Sequence, residues 1–312
     1  MAMRLEERER RPRRKKRRFG GGLVILALLV VLAAAAYKMT GGLAELHMPA
    51  GVPKDNVKTD FAVDLAALAE KMDGSGDFSP QQSDLAEMKN MESRYPKYKD
   101  KLEFFIGHAG HYDQTAVNTL LLSPEKIDFV LLSQFTQSTP TGDWDISVRE
   151  GKIPYFIQYD SRWAFHEYGS SCVGNTGCGP TCLSMAVTGL TGDKRETPDR
   201  MCDFAADNGY YVPGSGTSWN LFTDGAASFG VNGAMVSVDR DDMENCLKND
   251  GVLIASMTPG DFTMAGHFIV IYASGTSGFR IYDPSSVERS GRTWSFAALS
   301  PQIAQLWCLT KE

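Results

Sequence analysis

The sequence predicts an α+β fold, on three observations. Helix-start signals dominate residues 60–230, β-rich apolar segments cluster after 230, and no βαβ alternation or internal repeat joins them. The 312 residues are 43% hydrophobic, 22% charged and 10% aromatic, enough apolar material for a core and not the composition of a disordered chain.

Taken in chain order, residues 1–18 form a basic tail with ten Lys/Arg against three Glu, +7 in all. The net charge is −6, so −13 falls on the remainder. An acidic body of this kind argues against nucleic acid as the main partner. Phe19 to Tyr37 carries no charge. At helical rise it spans roughly 28 Å, near the thickness of a bilayer core. Residues 19–38 are therefore expected to be a transmembrane anchor. The run Arg13–Arg18 before it keeps the N-terminus in the cytoplasm and sends the body outside. A signal peptide cleaved after the small residues Ala33 to Ala36 is the alternative, and it also leaves the body outside.

Residues 39–59, with Gly41, Gly42, Pro49, Gly51 and Pro53, read as an irregular stalk. Residues 60–140 read as a helical region. Phe61, Leu65, Leu68 and Met72 lie on one stripe, and Ser79-Pro80 and Ser123-Pro124 each place proline at the first position of a helix. Asp73 to Asp77 lacks the glycine and closing glutamate of a calcium loop and reads as a turn. After the linker Ser138–Gly142, the domain 145–312 is predicted to hold helices over 180–190, 198–209 and 219–230. Strands follow at 233–238, 252–257, 267–273, 279–283, 292–296 and 306–310.

The sharpest chemical signal is Gly177-Cys178-Gly179-Pro180-Thr181. Pro180 fixes a helix start, so Cys178 stands where free backbone N–H groups and the positive dipole end favour a thiolate. Cys182, one turn inside on an apolar face, reads as a buried structural thiol. Its partner is His267, which opens His267–Tyr272 ahead of a turn at 274–278 and the strand Phe279–Asp283. A hairpin centred on Gly275 sets His267 and Asp283 directly opposite, with Cβ atoms about 5 Å apart. Such a carboxylate orients the imidazole and stabilises its protonated form. Their shared face is expected to turn toward the Cys178 helix, with Phe268, Val270 and Tyr272 on the other. Gln158, ending Ile153–Gln158, is the candidate oxyanion donor beside the Cys178 N–H.

The remaining features carry less chemistry. His108 and His111 have no carboxylate or cysteine nearby to complete a metal set, and His47 and His166 read as surface residues. No metal or organic cofactor is expected. The six cysteines show no tight framework, so three disulfides are not expected, and the states of Cys172, Cys202, Cys246 and Cys308 stay open.

Gln158–Trp163, Gly177–Thr181, Tyr211–Trp219, Gly266-His267-Phe268 and Tyr282-Asp283-Pro284 together resemble the peptidase family thirty-nine-like domain. That family is related to the bacteriocin-leader-processing cysteine peptidases of the papain-like superfamily. Ser123–Val130 resembles the helical region that often precedes the domain in Gram-positive bacteria, and the likeness covers roughly 84–312. It implies a papain-like fold, a Cys-bearing helix packed on an antiparallel sheet bearing His and Asp. It also implies Cys178 as nucleophile, His267 as base, Asp283 as orienter and Gln158 as oxyanion donor. One departure is that twenty residues separate Gln158 from Cys178, where the leader-processing enzymes have only a few. The expected function is a membrane-anchored extracellular cysteine peptidase acting on peptides or proteins. A cell-wall peptide amidase or endopeptidase, and a catalytically silent peptide-binding domain, stay open beside it, as does the oligomeric state.

Overall fold

The computed structural model describes residues 52–53, 55–149 and 151–312. The basic tail, the expected anchor 19–38 and most of the stalk lie outside the described residues. No helix among the described residues is long and apolar enough to cross a membrane.

Apolar, β-branched segments build the central sheet. Among the described residues ten strands occur: β1 (Glu167–Tyr168), β2 (Ser171–Cys172), β3 (Tyr211–Val212), β4 (Gly216–Thr217), β5 (Val231–Val236), β6 (Val252–Met257), β7 (His267–Gly275), β8 (Gly278–Tyr282), β9 (Thr293–Trp294) and β10 (Ile303–Lys311). β5 to β10 form one six-stranded antiparallel sheet in the order β5-β10-β6-β7-β8-β9. Every residue of β6 and the first five of β7 are buried, as expected for strands covered on both faces. One face packs Val252, Ile254, Phe268, Val270 and Trp307 in the same cluster as Leu183 and Val187 of the helix Cys178–Thr191. The other packs Leu253, Ile269, Ile271 and Ile281 with Met243 of the helix Arg240–Lys248.

The expected fold class needs correction. The structure supports an α+β chain with a six-stranded antiparallel sheet and several helices. It does not extend to the papain-like fold named from the resemblance, and the expected transmembrane helix falls outside the described residues. Within the class, the predicted strand 292–296 shrinks to Thr293–Trp294. The predicted helix 219–230 breaks at Thr223 into a 3-10 turn, Trp219–Phe222, and a short helix, Asp224–Ala227. The helix signalled by Ser79-Pro80 starts later and spans Gln82–Arg94. The expected helical region holds further helices at Lys99–Gly107 and Gln114–Leu122, and a helix that the sequence reading did not expect spans Arg240–Lys248. The latter two are opened by Asp113 and Asp239, whose carboxylates accept main-chain N–H groups of the first turn.

The helices between 65 and 132 are not a separate body. Leu102, Phe105, Ile127, Phe129 and Leu131 share one apolar cluster with Tyr155, Trp163 and Leu183, and residues 48–312 form one compact unit. The link between them is without regular secondary structure over 152–166 and buried from Pro154 to His166 except for half-buried Ser161. Its Trp163 indole N–H donates to Ile157 O at 2.8 Å.

A further staple joins two segments the sequence left open. Cys246 and Cys308 form a disulfide between the helix Arg240–Lys248 and β10. Cys172, Cys178, Cys182 and Cys202 are free thiols.

Candidate active site

Cys178 is the first residue of its helix, as Gly177 and Pro180 require. Its main-chain N–H belongs to the first turn and has no intrahelical acceptor. Gly179 is needed beside it, because a Cβ there would lie 2.8 Å from Thr217 Cβ, and β4 closes over the helix start only against a glycine. Cys178 is partly exposed, whereas Cys182 is fully buried, which pushes the Cys182 thiol well above the ordinary range.

His267 approaches Cys178 from the first residue of β7, where its charge and hydrogen-bonding capacity act on the thiol. Burial opposes ionisation of the thiol. The hydrogen bond and positive charge of His267, with the N–H groups of Phe268 and Gly179, outweigh it and hold Cys178 below the ordinary thiol range. Burial likewise works against the imidazolium, but the charge and hydrogen bond of Asp283 prevail and raise His267 to about 9. Both shifts favour a thiolate–imidazolium pair.

The carboxylate arm is fully enclosed. His267 Nε2–H donates to Asp283 Oδ1 at 2.8 Å, and Ser285 N–H donates to the same oxygen at 2.7 Å. Arg289 Nε donates to Oδ2 at 2.5 Å. Asp283 is 0% exposed, yet against the cost of burial the charges of Arg289 and His267 hold it far below the ordinary carboxylate range. Because it stays ionised, Nε2 of His267 must carry the proton, which leaves Nδ1 as the ring nitrogen for the thiol.

The register that joins His267 to Asp283 differs from the expected one. The turn is two residues, Thr276-Ser277, closed by Gly275 opposite Gly278. Continued from that turn, the register would set Asp283 opposite Val270, on the wrong face. A bulge at Tyr272 shifts it, so that Val270 pairs with Tyr282 and Asp283 falls level with Ile269. His267 and Asp283 are thus diagonal neighbours on one side instead of directly opposed. The expected facing is also reversed: Phe268 and Val270 pack with the Cys178 helix, while Ile269 and Ile271 pack away from it. Cys178 meets His267 at the first residue of β7, where the Phe268 N–H also favours the thiolate.

Gln158 lies in this network, but as a brace. Its Nε2 donates to Gly174 O at 2.8 Å and Val173 O at 3.4 Å, and its Oε1 accepts Ser285 Oγ–H at 2.9 Å. It therefore ties the turn before Cys178 to the Asp283 arm. The oxyanion donor left in position is the Cys178 N–H.

Sequence reasoning missed Ser285, Arg289 and Ser290, whose hydroxyl accepts the Asp283 N–H at 2.8 Å. Asp-Pro-Ser-Ser followed by an arginine six residues after Asp283 was the available signal. It also misplaced His166, which is buried and bonded to Asp203 and to Thr139 O. His108 stacks on Phe104, and His111 bonds Gly74 O; no metal-binding cluster occurs among the described residues. No protein-family model matches this sequence, and no curated protein matches it.

Proposed function

We propose that this chain is a cysteine peptidase that hydrolyses peptide bonds outside the cytoplasm. One observation carries the reading: a partly exposed thiol at a helix start, beside an imidazole whose Nε2 is held by a fully buried, ionised carboxylate. The motif resemblance points the same way.

In the reaction the Cys178 thiolate attacks the carbonyl carbon, and the Cys178 N–H receives the developing oxyanion. The protonated His267 gives its proton to the departing amine as the C–N bond breaks. The thioester that remains is attacked by water, which loses a proton to His267. The acid leaves, and the thiolate–imidazolium pair is restored. Asp283 keeps its charge throughout and steadies each protonated imidazole.

The Cys246–Cys308 disulfide supports an oxidising compartment, in line with the basic tail and apolar segment expected at residues 1–38. The test is profiling of the purified chain with peptide libraries and an epoxide thiol probe. Cleavage lost together with probe labelling in Cys178→Ala supports the reading, and cleavage that survives this change refutes it.

A further inference from the structure

The turn Ser123–Lys126, outside the predicted catalytic domain, touches both arms of the site. Leu122 O and Ser123 Oγ accept Arg289 Nη1 and Nη2 at 2.8 and 3.1 Å, and Glu125 Oε1 accepts Ser286 Oγ–H at 2.5 Å. These contacts fix the segment that carries Asp283. The next residue, Lys126, turns to the other arm. Its ammonium donates at 2.9 Å to Gly174 O, the carbonyl that also accepts Gln158 and lies in the short helix Val173–Thr176, just before Gly177-Cys178.

Lys126 is only 3% exposed, which is rare for an unpaired lysine. Its one hydrogen-bond partner among the described residues is that carbonyl, and the Phe129 and Tyr159 rings flank it at 5.6 and 5.5 Å. Among the described residues no carboxylate is in ion-pair contact with it, and Asp283 is paired instead with Arg289 and His267. A buried lysine without a salt bridge costs stability unless its charge has a use. The charged and titratable groups around it are Cys172, Asp283, Arg289, Cys178 and Tyr159, with Glu125 adjacent in the chain.

We propose that Lys126 is a positioning residue of the Cys178 site. It anchors the Gly174 carbonyl beneath the helix start and sets a positive charge within electrostatic reach of the thiolate, so the helical region is a working part of the enzyme and not a removable prosegment. The proposal rests on the cysteine-peptidase reading. Burial presses the ammonium down to about 8, while the surrounding thiols and Asp283 pull it up and Arg289 pushes it down; the cation is therefore present at neutral pH and lost on the alkaline side.

The test is the pH dependence of Cys178 alkylation by iodoacetamide, mapped by mass spectrometry, in the full chain and two variants. Lys126→Met keeps the volume but removes the N–H and the charge. Lys126→Gln keeps a donor for Gly174 O without the charge. Both are expected to raise the alkylation midpoint by about half a pH unit or more, with kcat/KM lower and Lys126→Gln nearer the wild type in thermal stability. Wild-type midpoints in both variants would overturn the inference, as would loss of fold in both, which makes the lysine structural only. A wild-type chain whose Cys178 alkylates like a free thiol would instead overturn the peptidase reading beneath it.

Discussion

Among the described residues two histidines are buried, in nearly the same setting. His267 and His166 each meet an aspartate Oδ1 through Nε2 at 2.8 Å. The second nitrogen separates them. In His267 it faces the Cys178 thiol, whereas His166 Nδ1 lies 2.8 Å from the Thr139 carbonyl, which accepts its proton and gives nothing back. The carboxylates differ too: Asp283 is sealed among Arg289, Ser285 and His267, while the Asp203 side chain is 45% exposed beside Thr141. An Asp–His pair is a structural clamp by default, and it becomes a proton-transfer device when the far nitrogen meets a nucleophile and the carboxylate is locked away from water.

The largest contrast comes from removing each ring in turn. His267→Ala should lower kcat by at least about a thousandfold, because the thiol loses its base. His166→Ala should leave kcat within about twofold while costing about 1–3 kcal/mol of stability through two lost buried hydrogen bonds. Steady-state kinetics and thermal unfolding on the two variants separate the roles.

Next in size is the carboxylate. Asp283→Asn should reduce kcat by roughly a hundredfold, since an amide orients the ring without steadying its charge. It should also move the pH profile. In the wild type, activity rises as Cys178 ionises below the ordinary thiol range and falls as His267 loses its proton at about 9. Without the carboxylate the imidazolium is less favoured, so the alkaline limb should fall back toward the ordinary imidazole range. An unmoved limb in a pH–rate series would contradict the assignment. Asp203→Asn should shift neither limb.

A register test sharpens the same comparison. Deleting Tyr272 takes out the extra residue alone: Ala273 stays opposite Arg280, Ile271 opposite Ile281 and Asp283 level with Ile269, so turnover should be kept within about tenfold. A deletion variant that stays folded yet loses turnover as fully as His267→Ala would refute this register. A smaller effect, on stability and not chemistry, is expected from Cys246→Ala with Cys308→Ala. Opening a link between residues 62 apart should cost about 2–4 kcal/mol in denaturant unfolding, with kcat little changed.

What the sequence reveals and conceals follows from range. Pro180 and Gly177 act within one turn, so the helix start and Cys178 were legible. The pairing of His267 with Asp283 was legible because they belong to one hairpin, although its centre was not, since a bulge leaves no mark in a run of apolar residues. The facing of β7 was hidden for a related reason: both its faces are buried, so alternation carries no signal. Lys126 was out of reach because its partner lies 48 residues away; Arg289 stands six residues after Asp283, but its anchor at Leu122 O, 167 residues away, was hidden. The Cys246–Cys308 bridge was equally hidden, as two lone cysteines define no spacing pattern.

The central claim is that Cys178 rests as a thiolate beside a protonated His267, and mapped alkylation across pH measures this directly. The account predicts that iodoacetamide labels Cys178 well below neutral pH, that Cys182 and Cys202 stay unlabelled in the folded chain, and that His267→Ala moves the Cys178 midpoint up. Labelling that reaches Cys182 or Cys172 first, or a Cys178 midpoint in the ordinary thiol range, would contradict it.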